Sequence, residues 1–118
     1  MRSLLQARIA SIWSTLAEYV VGITALRVDY HSFKLTVTLT DGSTIRVNEQ
    51  YHQHTLERYA YYWLNTNDCL ITGWDNAPHH SHLAGFPHHK HIASQENVRP
   101  SEETTPKEIL IAIRNHLS

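Results

Sequence analysis

The sequence predicts an α+β fold, an antiparallel sheet of about five strands with an N-terminal and a C-terminal helix packed on one face. Three observations predict it. Apolar residues recur at helical spacing at both ends of the chain, and runs of period two fill most of Ile23 to Asp75 between them. Short turns join those runs, with no crossover helix that would make a parallel sheet. At 118 residues the chain is expected to form one domain over 1–118, since domains usually hold about 100–150 residues.

Leu5, Ile9, Ile12, Trp13, Leu16 and Val20 trace one face of a first helix, and Gly22 stands where a helix could end. Ile23 to Tyr30 then turns to β-type residues. Phe33, Leu35, Val37 and Leu39 alternate with Lys34, Thr36, Thr38 and Thr40, a pattern that only a half-buried strand satisfies. Asp41-Gly42-Ser43 supplies a turn, and Ile45, Val47 and Tyr51 continue the alternation as the second arm of a hairpin. Leu56 to Leu64 is a further long strand with Tyr59, Tyr61 and Trp63 on one face and Leu56, Arg58, Ala60, Tyr62 and Leu64 on the other.

Asn65 to Asp68 reads as the next turn, and Cys69 to Asp75 as the last strand. The lone Cys69 cannot form an intrachain disulfide and reads as a buried thiol in a reducing compartment. Residues 76–104 form a long loop with little order expected in its polar second part. Thr105-Pro106-Lys107-Glu108 matches a capping box, so a second helix follows with Ile109, Leu110, Ile113 and Leu117 as its apolar stripe. Two helices cover only one sheet face, so the other face meets solvent or a partner.

The net charge is −1 with neutral histidines, which excludes bulk electrostatic capture of nucleic acid and leaves only a local patch for it. There is no run of about eighteen apolar residues and no uniform apolar leader, so a cytoplasmic protein with no membrane partner is expected. Chemistry concentrates in Trp74 to His91, which holds six of the ten histidines. Each half places a histidine pair directly after a proline: Pro78-His79-His80 with His82, then Pro87-His88-His89 with Lys90 and His91. The pattern is interrupted, duplicated and followed by a capped helix, so it belongs to the fold and is no purification tag.

Trp74-Asp75-Asn76-Ala77-Pro78-His79-His80 and Phe86-Pro87-His88-His89-Lys90-His91 resemble the TumE-like toxins of prokaryotic type II toxin–antitoxin systems, in the same order and spacing. Ser81 departs from the proline usual in such sequences. The resemblance implies a small cytoplasmic toxin restrained by a cognate antitoxin, with RNA cleavage as the commonest activity of toxins this size. A homodimer or a toxin–antitoxin hetero-oligomer is the expected assembly.

Metal-independent RNA cleavage requires a base for the 2′-OH, an acid for the leaving 5′-oxygen and a cation for the phosphorane. Histidines from the two halves, His79 or His80 opposite His89 or His91, suit the proton roles, with His88 in the same stretch. Lys90 is then the fixed cation, and Asp75 orients one ring. Prolines stiffen the loop that carries them. Tyr59, Tyr61 and Trp63 read as core or as a seam between chains. Alternatively they offer stacking platforms for bases, worth about 1–3 kcal/mol each, with Arg58 on phosphate.

No cofactor is expected on this reading. The rival is a zinc or nickel hydrolase, or a metal- or protein-binding module without turnover, with His79, His82, His88 and His91 as ligands. No Cys or Glu joins that cluster. Asn76, His80 and His88 also read as groups that hydrogen-bond loop backbone, and His31, His52, His54 and His116 as ordinary surface residues.

Overall fold

A computed structural model describes residues 1–118. The order is α1 (Arg2–Leu16), a 3₁₀ turn at Ala17–Tyr19, β1 (Val20–Val28), β2 (Ser32–Leu39), β3 (Thr44–His52), β4 (Thr55–Leu64), β5 (Leu70–Asp75), β6 (His89–Ile92), β7 (Val98–Pro100) and α2 (Pro106–Leu117). The strands form one seven-stranded antiparallel meander in chain order. The α+β class holds, with two strands more than the sequence suggests. Both extra strands fall inside 76–104, so that segment is far more ordered than its polarity implies.

Burial follows the strand period. Phe33, Leu35, Val37 and Leu39 of β2, Ile45, Val47 and Tyr51 of β3, and Tyr59, Tyr61 and Trp63 of β4 face one way. Ile12 and Leu16 of α1 and Ile109, Leu110 and Ile113 of α2 close over them in one apolar core. At the β2–β3 turn Gly42 takes a φ of 88°, which glycine alone adopts without strain, while Asp41 Oδ1 accepts from the Ser43 N–H at 2.9 Å. The helix α2 starts as its sequence requires: the Glu108 N–H donates to Thr105 Oγ1 at 3.2 Å, and Glu108 Oε1 accepts from the Thr104 N–H at 3.0 Å.

The first helix stops earlier than its apolar stripe. Ala17 takes a φ of 34° and ends it, and Val20 and Gly22 pair with Leu39 and Thr38 as part of β1. β-branched Val20, Val21 and Ile23 gain more from the sheet ladder than from another helical turn. Trp13, expected on the buried stripe, is 44% exposed. Cys69 is exposed, because Asn65 Oδ1 accepts from the N–H groups of Asn67 and Cys69 and keeps Cys69 in the turn, so β5 begins one residue later.

One polar residue sits inside the core. Glu49 of β3 is fully buried, and its carboxylate accepts from Arg8 Nε at 2.8 Å and from the hydroxyls of Tyr51 and Tyr61. This cluster ties α1 to the middle of the sheet, since an unpaired carboxylate there would be costly.

Candidate functional site

The chemistry gathers on the sheet face opposite the helices. Asp75 of β5 is the register partner of Ala60 on one side and His89 on the other, and Gly73 is the partner of Tyr62 and His91. Paired residues in adjacent strands share a face, so Asp75, Tyr62, His89 and His91 converge. Period two in β6 sends Lys90 the opposite way, and His88 just before the strand follows it to the helix side.

Asp75 is the hub. His89 Nε2 lies 2.8 Å from Asp75 Oδ1 and His91 Nε2 lies 3.3 Å from Oδ2. Tyr62 Oη donates to Oδ2 at 2.8 Å, and the Ala77 N–H donates to Oδ1 at 3.1 Å. The far nitrogen of each ring is also engaged: His89 Nδ1 lies 3.0 Å from the Pro87 carbonyl, and His91 Nδ1 lies 2.8 Å from the Gln95 carbonyl. All three residues are buried, and the two imidazole centroids are 5.0 Å apart. Burial and the hydrogen bond to Asp75 push the Tyr62 phenol well up, so it remains a donor through neutral pH.

This trio floors a cleft of about 460 Å³, whose walls include Asn48, Gln50, Arg58, His79 and His80. His80 leans over the floor, its ring centroid 5.3 Å from His89 and 6.4 Å from His91. Neither His79 nor His80 has a ring nitrogen hydrogen-bonded to the protein, and both are exposed. Partial desolvation, then the neighbouring imidazoles of His89 and His82, lower the pKa of His80. The His80 backbone sits at a φ of 58°, an uncommon conformation for a residue with a Cβ and one that clusters at functional sites.

The two proline–histidine motifs thus flank a two-strand frame that buries a carboxylate between two histidines. The family model described as Toxin TumE matches residues 9–117, nearly the whole chain. The chain belongs to the TumE toxin family. No curated protein and no solved structure matches it. Membership in TumE makes the chain a toxin and implies an antitoxin as its partner. No helix of this toxin is long and apolar enough to cross a membrane.

Of the residues that the sequence singles out, the TumE fold brings Asp75, His79, His80, His89, His91 and Arg58 to one cleft. Others stand elsewhere. Lys90 Nζ donates to Glu103 Oε1 at 3.3 Å, an oxygen that also accepts from Trp74 Nε1 at 2.9 Å, so Lys90 is spent on the helix side and Arg58 is the cation of the cleft. His88 stacks on Tyr59 at 5.8 Å with Nδ1 2.8 Å from the tyrosine hydroxyl. Tyr59, Tyr61 and Trp63 are 4%, 0% and 3% exposed, which corrects the stacking-platform reading in favour of core. Asn76 is a backbone clamp: its Oδ1 accepts from the Tyr59 N–H and its Nδ2 donates to the Glu57 carbonyl. The spacing-based metal quartet of His79, His82, His88 and His91 is not assembled, because His88 faces the helices.

Sequence reasoning misses Tyr62, Gly73 and the Gln95 carbonyl. The alternation His89-x-His91 already places both rings on one face, and Arg58, Ala60 and Tyr62 were on the face that Asp75 joins. The β4–β5 register links them.

Proposed function

We propose that this toxin is an endoribonuclease whose catalytic cleft is the one floored by Asp75, His89 and His91. Both nitrogens of each buried ring face Asp75 or a backbone carbonyl rather than the open cleft, so proton transfer to substrate falls to the imidazoles of the rim. His80, whose pKa the neighbouring imidazoles help to lower, takes the 2′-OH proton. His79, its ring centroid 6.4 Å away, protonates the leaving 5′-oxygen across a phosphate between them. Arg58 supplies the fork of donors that a crowded phosphorane needs.

The observation that carries this reading is the meeting of two unpartnered imidazoles and a guanidinium over one polar cleft. Single-stranded RNA incubated with antitoxin-free toxin is expected to yield 2′,3′-cyclic phosphate ends, and a 2′-deoxy substitution at the cut site to block them. His80→Ala is expected to lose about 10²–10⁴-fold in rate, and the distant His54→Ala to keep it. Toxin that arrests growth while leaving RNA intact sinks the proposal. A chelator arm separates the two chemistries: cutting that persists in EDTA belongs to the chain's own groups, and cutting restored only by zinc belongs to a metal-assisted hydrolase.

A further inference from the structure

The hydrogen bonds of His89 and His91 fix where their protons lie. A backbone carbonyl can only accept, so Nδ1 of each ring carries a proton toward Pro87 or Gln95. In the singly protonated rings Nε2 is then a bare lone pair, and both lone pairs are aimed at the Asp75 carboxylate. Lone pairs facing an anion repel it.

One cation at the focus of the three groups resolves the conflict, and we infer that Asp75, His89 and His91 are the ligands of a divalent transition-metal ion. Their ligand atoms lie within 4.8 Å of one another. A tetrahedral ion with bonds of about 2.0–2.2 Å sets its ligand atoms about 3.3–3.6 Å apart, which the 3.3 Å between His91 Nε2 and Asp75 Oδ2 meets and the 2.8 Å between His89 Nε2 and Oδ1 reaches after a side-chain shift of about half an ångström. Two imidazoles with one carboxylate favour zinc, nickel or iron over magnesium or calcium, which prefer oxygen.

The surroundings are those of a ligand set. Each imidazole donates its other N–H to a carbonyl, which fixes tautomer and ring plane, and Tyr62 and the Ala77 N–H hold the carboxylate. The remaining side opens to the cleft beneath His80, where a substrate oxygen can reach the ion. This inference stands whether or not RNA is the substrate.

The experiment is a zinc titration of chelator-treated full-length toxin, read by calorimetry and by metal analysis after gel filtration. One equivalent is expected to bind, with at least a tenfold loss of affinity in Asp75→Asn and in His91→Gln. Cobalt(II) with wild-type protein provides a readout that needs no variant. It should give visible ligand-field bands and paramagnetically shifted signals from the two exchange-protected Nδ1–H protons. No uptake, uptake undiminished in both variants, or loss of binding in His79→Ala/His82→Ala instead overturns the assignment.

Discussion

Tyr62 and Gly73 are register partners on β4 and β5, and the tyrosine ring fills the space that a side chain at 73 would need: a Cβ there would lie 2.1 Å from Tyr62 Cδ1. The bare backbone of Gly73 lets the ring lie across β5 with its hydroxyl on Asp75. A glycine thereby shapes the floor of the cleft without touching it.

Gly73→Ala is therefore expected to destabilise the fold by about 1–3 kcal/mol through overpacking, and Tyr62→Phe by only about 1 kcal/mol through the lost hydrogen bond. Combined with Tyr62→Ala, Gly73→Ala should lose most of its own cost, because the clash has gone. Urea unfolding of the two single variants and the double variant measures this coupling, and additive effects would refute the steric account.

What was legible in the sequence is what depends on local pattern. The β2 alternation from Phe33 to Leu39 and the cap at Thr105 need only neighbours a few residues away, and both stand as read. The end of α1 is not legible because Val20 fits a helical stripe as well as a strand, and only its pairing with Leu39 decides. The strand β6 was hidden because His89-Lys90-His91-Ile92 has little apolar content, and its pairing with Thr72 to Asp75 is set by register across a loop. The face of β4 that carries function could not be chosen from alternation alone, since both faces hold large side chains.

Arg8 and Glu49 make a second testable unit. Arg8→Met leaves the buried carboxylate with two tyrosine hydroxyls and no cation, which is expected to cost about 3 kcal/mol. Arg8→Met/Glu49→Leu should recover much of that loss, because it removes the stranded charge as well. Equal destabilisation of single and double variants in denaturant titrations would show that α1 is held by its apolar contacts alone.

Four tyrosines set an alkaline limit. Burial, then the hydrogen bond to Glu49, raises Tyr51 from 10.0 to about 12, and burial is also the leading cause of the upward shifts of Tyr59, Tyr61 and Tyr62. A folded pKa above the unfolded one means the native state holds protons that the unfolded chain has lost. Stability is then fully present below pH 10.0 and falls as pH rises toward 12. Chemical denaturation at about pH 9 and about pH 11 should show the drop, and Tyr51→Phe should reduce its slope. A wild-type curve that stays flat across this window would contradict the tyrosine assignment.

The last expectation concerns His80, whose φ of 58° costs a residue with a Cβ about 1 kcal/mol that glycine does not bear. His80→Gly should therefore be more thermostable than wild type while losing RNA cleavage, since no imidazole remains over the floor. His80→Asn separates the two effects: asparagine tolerates this backbone region well but cannot carry a proton at neutral pH. Stability at or above wild type with activity absent in both variants would mean the strain is retained for chemistry. Full activity in His80→Asn would move proton transfer to another group of the cleft, with His79 the first to test.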